Sequence, residues 1–281
     1  MNGKFWLEMT RSSKSVYIVS DIHDGAVTAI CSEDPVVTEQ GGNPYKPNKL
    51  QKELKHIWDE AIDELEQKPN LCVVNAEPVD GANKKQIGNK SCTTSLYDQA
   101  VDSKKILSEI PAKEFMFVRG SGYHVQIDGT PIESFIAEMM NGVKYSSLEG
   151  LQNNSWYWAN VDINGKIFSF THHLPYAKFF AYRATPLAKE MALMALDKGR
   201  SMKYDVLVRS HVHYYMRVHS AHTIAFTTPA WKYPDGHLTR AGLGGIFPDI
   251  GSMEVIVEPN GEIIIREHIT ELRNKQKVYK V

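Results

Sequence analysis

The sequence contains only three cysteines, and this scarcity excludes two kinds of site. Cys31, Cys72 and Cys92 are odd in number and show no C-x-x-C spacing. This pattern argues against a disulfide framework and against a thiolate metal site. Such cysteine usage is typical of a reducing compartment, so we predict a cytoplasmic location.

Long apolar runs and an excess of charge of either sign are also missing. No run is long enough to span a bilayer, and no secretory signal stands at the start. The 32 Lys and Arg almost balance the 33 Asp and Glu, which leaves a net charge of −1. This balance gives no general attraction to nucleic acid or to a membrane surface. We expect no membrane partner, and the sequence defines no oligomeric state.

No linker rich in Pro, Gly or Ser divides the chain, so we predict a single domain over residues 1–281. Residues 1–14 form its lead-in, and residues 231–281 form a closing loop and a C-terminal β-hairpin. The first half alternates strands and helices, whereas the second half is richer in hairpins. This order indicates an α/β fold in which packed sheets carry helices on the outside.

Apolar runs and helical spacing locate the elements of this fold. Strands are predicted at 16–20, 71–75, 115–119, 155–162, 166–171 and 205–209. Helices are predicted after Asn48, over about 94–109, from Thr130-Pro131, and from Thr185 to about 197. The Asn164-Gly165 and Asn260-Gly261 pairs predict hairpin turns.

Acids and histidines follow five of the predicted strands. In chain order these residues are Asp21 and His23, Glu77 and Asp80, His124, His172 and His173, and His211 and His213. In open α/β sheets, ligands bind at the carboxyl ends of the strands, so we expect one crevice there. Mixed imidazole and carboxylate donors suit zinc, manganese, iron, cobalt or nickel.

The order of these blocks resembles the calcineurin-like metallophosphoesterase superfamily, over residues 16 to 213. The resemblance implies an αββα sandwich of two mixed β-sheets flanked by helices, with a site for two divalent metal ions (Mn, Fe, Ni, Zn or Co). It implies that Asp21, His23 and His213 hold one ion, that Glu77 bridges, and that His172 and His211 hold the second.

Three blocks depart from the superfamily pattern. Ala76-Glu77 replaces Gly-Asp, Ser210 replaces a glycine, and the segment from Gly120 to His124 contains no asparagine. His124 is either a metal ligand that replaces this asparagine or the catalytic group that donates a proton. We assign Asp80, Tyr123 and His173 to contacts with the substrate.

These features predict a hydrolase of phosphate esters that uses a metal-bound hydroxide. The expected substrate is a phosphodiester of a nucleotide or nucleic acid, cleaved by a phosphodiesterase or nuclease. Two alternatives stay open, namely a phosphomonoesterase or protein phosphatase and a non-catalytic scaffold with the same fold.

Overall fold

The computed structural model describes residues 12–35, 45–82, 91–122, 126–127, 130–146, 152–177, 179–196, 203–234 and 248–270. The described helices are α1 (Lys49–Asp63), α2 (Leu96–Leu107), α3 (Ile132–Met139) and α4 (Thr185–Leu196). None of them has the length and apolar character needed to cross a bilayer.

The described strands fall into two large sheets and two short hairpins. In chain order they are β1 (Lys14–Val19), β2 (Leu71–Asn75), β3 (Glu114–Val118), β4 (Gln126–Ile127), β5 (Thr130–Pro131), β6 (Tyr145–Ser146), β7 (Gln152–Asn153), β8 (Ser155–Trp156), β9 (Ala159–Ile163), β10 (Lys166–Thr171), β11 (Val206–Arg209), β12 (Met216–His219), β13 (Ile224–Thr227), β14 (Ile250–Val257) and β15 (Ile263–Thr270).

Both large sheets are mixed. The first has the order β15-β14-β1-β2-β3-β8, in which β1, β2, β3 and β8 run parallel to one another. The second has the order β12-β13-β11-β10-β9, with β10, β11 and β13 parallel. Antiparallel strands β14 and β15 lie at one edge of the first sheet, and β9 and β12 lie at the edges of the second.

Period-two alternation along the strands explains how these sheets stack. Tyr17 and Val19 of β1 pack against α1 and α2, whereas Val16 and Ile18 pack between the two sheets. On the far side, Leu207 of β11 packs against α4. The result is four layers, helix, sheet, sheet and helix, which confirms the predicted αββα sandwich.

Several predicted boundaries agree with the structure. The strand at 71–75 is confirmed residue by residue. Asn48 caps α1, because its side chain accepts from the backbone of Gln51 while the Gln51 side chain accepts from Asn48. The Asn164-Gly165 turn is confirmed, with φ values of 51° and 83°. All three cysteines are free thiols.

Two predictions about elements are wrong. The run at 155–162 is divided, because Ser155 and Trp156 pair with β3 of the first sheet while β9 pairs with β10 of the second. The third helix does not begin at Pro131, which instead occupies the N-cap position and pairs with β4. An edge strand expected at Phe5–Met9 lies outside the described residues.

Two glycines at positive φ provide a matched test of this architecture. A Cβ at Gly165 would meet nothing within 4 Å, whereas a Cβ at Gly251 in β14 would overlap the backbone oxygen of His268 in β15. We expect Gly165→Ala to lower the free energy of unfolding by about 1–2 kcal/mol, the cost of a left-handed conformation. Gly251→Ala should lower it by about 1–3 kcal/mol more, because the neighbouring strand must shift.

Urea denaturation of the two variants beside the wild type measures both free energies. Equal losses for the two alanine variants would contradict the close approach of β14 and β15 at this point.

Candidate metal centre

Six of the predicted ligands converge where four strands end. Asp21 and His23 follow β1, and Glu77 follows β2, both in the first sheet. His172 follows β10, and His211 and His213 follow β11, both in the second sheet. Their donor atoms form two groups that share Glu77, and the atoms of each group lie within 4.8 Å of one another.

The first group consists of Asp21, His23, Glu77 and His213. Nε2 of His23 lies 3.1 Å from Oε2 of Glu77 and 3.3 Å from Nε2 of His213. Nε2 of His213 lies 3.2 Å from Oδ1 of Asp21. Asp21, His23 and Glu77 are almost completely buried.

The second group consists of Glu77, His172 and His211. Nε2 of His172 lies 3.1 Å from Oε1 of Glu77 and 3.1 Å from Nδ1 of His211. Each oxygen of Glu77 therefore faces a different group, Oε2 the first and Oε1 the second.

The donor set fits divalent cations in both chemistry and spacing. Nitrogen and oxygen donors bind zinc at about 2.0–2.2 Å, so neighbouring donors of a tetrahedral site stand about 3.3 Å apart. The two imidazole pairs, at 3.1 and 3.3 Å, have this separation. Imidazole with carboxylate also suits the later first-row metals.

His23 is oriented by a buried acid and a buried lysine. Its Nδ1 lies 3.2 Å from Oδ1 of Asp80, and the same oxygen accepts a hydrogen bond of 2.7 Å from Nζ of Lys232. Burial would raise the pKa of Asp80, but the His23 hydrogen bond and the Lys232 charge hold it below its usual range. The ionised carboxylate thus favours a proton on Nδ1, which leaves the Nε2 lone pair for a cation.

His172 is oriented in the same way by Ser210. The Ser210 hydroxyl donates to the backbone oxygen of Asn75 at 2.8 Å and lies 2.9 Å from Nδ1 of His172. Because its only hydrogen goes to Asn75, this hydroxyl accepts a hydrogen bond from the Nδ1–H group of His172. In the neutral imidazole, the lone pair on Nε2 of His172 then faces Glu77 and His211.

Glu77 is fixed by the loop that follows β3. Ser121 donates to Oε1 of Glu77 from its hydroxyl, at 2.6 Å, and from its backbone N–H, at 3.2 Å. Gly120 allows this close approach, since a Cβ there would lie 2.6 Å from Cγ of Glu77. Gly120 in turn donates its N–H to Oε1 of the buried Glu133 in α3, at 2.7 Å.

The backbone that presents the ligands is bent rather than extended. Left-handed φ values between 49° and 79° occur at six positions of the crevice, namely Asp21, His23, Ala76, Glu77, His211 and His213. Asp21 and His23 therefore do not leave β1 in an extended conformation, although both side chains converge on the crevice. Non-glycine residues in this conformation concentrate at functional sites.

Hydrogen bonds hold these bends in place. Asp21 and His23 donate their N–H groups to the backbone oxygens of Ala76 and Glu77, at 3.1 and 3.0 Å. The N–H of His211 donates to Oδ2 of Asp21, at 3.2 Å, and so ties the second sheet to the first.

The protonation states of the two acids and of His211 suit cation binding. Burial would raise the pKa of both ligand acids, but His213 and His172 lower that of Asp21 to about 2. Hydrogen bonds and charge from His172 and His23 likewise hold the pKa of Glu77 well below its usual range. Burial and the neighbouring His172 lower the pKa of His211 to about 4, so this imidazole is neutral at pH 7.

Burial would lower the pKa of His172 and of His23, but Glu77 raises that of His172 to about 9, and Asp80 and Glu77 raise that of His23. These two imidazoles would therefore each release a proton on binding a cation.

The other predicted site residues that the structure describes belong to neither group of donor atoms. His173 is exposed, and its ring centroid lies 4.9 Å from that of His211. Asp80 is only 1% exposed and contacts His23 and Lys232. Tyr123 and His124 lie outside the described residues.

Sequence reasoning missed the supporting roles of Lys232, Glu133 and Ser121. Lys232 carried no local signal, because it lies 152 residues from Asp80 along the chain. The sequence predicts no role for Ser210, and its position directly before His211 is the only local signal of its contact with the centre.

No family model and no curated protein matches the chain. Solved structures with similarity include an archaeal phosphodiesterase, at 13% identity over 90% of this chain and 99% of that one, with a TM-score of 0.43. Vacuolar protein sorting 29 from Cryptosporidium parvum is 12% identical over 93% and 100% of the two chains, with a TM-score of 0.42.

A zinc complex of Vps29 from Entamoeba histolytica is 10% identical over 91% of this chain and 98% of that one, with a TM-score of 0.40. All these identities and TM-scores are low, so the ligands and activities of these proteins do not identify those of this chain.

Glu133 makes the stability of the fold depend on pH. Burial raises the pKa of Glu133 from 4.5 to about 7, although the Gly120 hydrogen bond opposes the shift. Between these values the folded protein holds a proton that the unfolded chain has lost. The resulting stabilisation is complete below pH 4.5 and is lost as the pH rises through 7.

We therefore expect Glu133→Gln to remove a pH-dependent part of the stability. Relative to this variant, the wild type should lose roughly 2–3 kcal/mol of unfolding free energy between about pH 5 and about pH 8. Urea denaturation of chelator-treated protein measures the difference. Glu138→Gln, at an exposed position of the same helix, is the control. A constant difference between wild type and Glu133→Gln would contradict the assignment.

Proposed function

We propose that the chain is a hydrolase of phosphate esters that uses two divalent cations. Asp21, His23 and His213 would hold one cation, His172 and His211 would hold the other, and Glu77 would bridge them. The observation that carries the proposal is the placement of Glu77, whose two oxygens each lie 3.1 Å from an imidazole nitrogen of a different group.

Two cations in such a site supply a clamp for the phosphoryl oxygens and a water that is deprotonated near neutral pH. The residues of the chain keep the site ready for them. Asp80 and Lys232 fix the tautomer of His23, and Ser210 fixes that of His172, so that both Nε2 atoms face the centre. Ser121 holds the Glu77 carboxylate in place.

We further propose a phosphodiester as the substrate. A cavity of about 740 Å³ lies beside His172 and His173, and it is large enough for an organic group in addition to the phosphate. His173 is exposed at this cavity, and we assign it to contacts with the substrate. His124, as proton donor or ligand, and Tyr123, as a substrate contact, remain predictions of the sequence.

Hydrolysis after removal and return of metal tests this function. Metal-stripped protein receives Mn, Ni, Zn, Co or Mg, and turnover of bis-p-nitrophenyl phosphate and p-nitrophenyl phosphate is measured. We expect metal to restore turnover of the diester. Turnover of the monoester alone would point to a phosphatase. Failure to turn over either ester would favour a scaffold if the protein also binds no metal, and a strict substrate preference if it does.

A pair of histidine variants locates the activity. His211→Ala should lower the metal content by one equivalent and the rate by roughly a hundredfold or more, since a catalytic cation contributes several kcal/mol. His222→Ala changes an exposed histidine after β12 and should leave both quantities unchanged. Unaltered activity of His211→Ala would exclude this centre as the active site.

Ser210→Ala tests the orientation of His172 separately from ligation. Loss of a group that orients a ligand typically weakens metal binding about 10- to 100-fold. We expect Ser210→Ala to weaken the binding of one of the two metal equivalents by this factor, measured by competition with a chelator. Ser20→Ala removes a hydroxyl that is equally buried but bonds Thr228 and Pro229, and it should leave metal affinity unchanged. Equal metal affinity in both variants would contradict the role of Ser210.

A further inference from the structure

The cavity beside the metal centre has one wall that the proposed hydrolysis does not use. His172, His173 and Ser121 line the side next to the candidate ligands. Tyr157, Trp158 and Tyr182 line the cavity as well, and all three aromatic rings are more than half exposed. A group of exposed aromatic rings around one cavity favours a role in ligand binding.

Two of these rings are held in place by arginines. The Arg119 guanidinium lies 5.0 Å from the ring centroid of Tyr157, and its Nε donates to Ser155 at 2.8 Å. The guanidinium of Arg209 lies 5.7 Å from the ring of Trp158. Arg209 is buried and the Tyr204 ring lies 6.5 Å from that of Trp158, yet Trp158 itself is 54% exposed, so about half of its surface is accessible.

A hydrogen bond also restricts the ring of Trp158. The indole N–H of Trp158 donates to Oδ1 of Asn160 at 3.0 Å. Because the two rings are already oriented, a ligand that stacks on them loses little freedom in doing so, which favours binding. Tyr157 and Trp158 therefore form a preformed aromatic shelf.

The charges around the cavity favour an anion. Arg209 is paired with Glu190, which balances both charges. Arg119 and Lys189 also line the cavity, and neither makes an ion pair within the described part of the chain. Their two positive charges lie on the same cavity as the shelf, so the site suits a ligand that joins an anion to a planar ring.

We propose that this cavity binds a nucleoside phosphate, with its base stacked on Tyr157 and Trp158 and its phosphate directed toward His172 and His211. This inference rests on the proposed function, because it names the organic group of the ester. A base offers a π-face to both rings, whereas an aliphatic alcohol or a sugar does not.

Binding of two monoesters that differ only in the base tests the inference. AMP and ribose 5-phosphate carry the same sugar and phosphate, and both belong to the product class of diester hydrolysis. Calorimetry with manganese-loaded protein should give tighter binding of AMP by roughly 5- to 150-fold, the range for stacking of one base.

Variants of Tyr157 and Trp158 distinguish stacking on an aromatic ring from packing against an apolar side chain. Tyr157→Leu and Trp158→Leu should bring the ratio of the two affinities toward one, while Tyr157→Phe, which keeps the ring, should preserve it. Tyr97→Ala removes a tyrosine of similar exposure on α2 that does not line this cavity, and it should also preserve the ratio.

The outcomes distinguish this inference from the function on which it rests. Equal affinities for AMP and ribose 5-phosphate, or no binding of either, overturn the nucleoside site even if diesters are hydrolysed. A preference for AMP that persists in Tyr157→Leu and in Trp158→Leu overturns the assignment of the shelf. Preference for AMP without hydrolysis of any ester supports the site and overturns only the proposed hydrolase.

Discussion

One buried carboxylate links the two sheets at the edge where the candidate metal centre lies. Glu77 is 2% exposed, and a charge at such a depth is costly unless polar partners surround it. Its partners come from different layers: His23 follows a strand of the first sheet, His172 follows a strand of the second, and Ser121 follows β3. A shift of one sheet against the other would separate Glu77 from at least one of them. The ionised carboxylate therefore couples the register of the sandwich to the geometry of the crevice.

The backbone around this carboxylate is strained, and the rest of the fold stabilises it. Each left-handed residue costs of order 1–3 kcal/mol, and six of them surround the crevice. Two extensive apolar cores lie on either side of the first sheet, and backbone hydrogen bonds between the segments after β1 and β2 tie the bends to both strands. The strain thus resides where imidazoles and carboxylates must converge, while the packed layers on both sides provide the compensating stability.

Much of the fold could be predicted because its signals are local. The strand at 71–75 is apolar throughout and buried on both faces, and Asn48 caps α1 with its own side chain. The residues of the candidate metal centre were predictable because acids and histidines follow apolar strands. Long-range pairing was not predictable: Ser155 and Trp156 join β3 of the first sheet, although the residues after them belong to the second. The same holds for Lys232, whose contact with Asp80 exists only after the sheets have assembled.

The contact between Glu77 and Gly120 also constrains how this sequence can evolve. Because a Cβ at position 120 would lie 2.6 Å from Cγ of Glu77, any side chain larger than hydrogen there would displace the Glu77 side chain. A shorter aspartate at position 77 would not relieve this crowding, because aspartate has a Cγ as well. The added Cβ would also lie 3.2 Å from the backbone nitrogen of residue 77 and 3.3 Å from Cβ of Ala76. Position 120 is therefore expected to tolerate only glycine whichever of the two acids a descendant sequence carries at position 77.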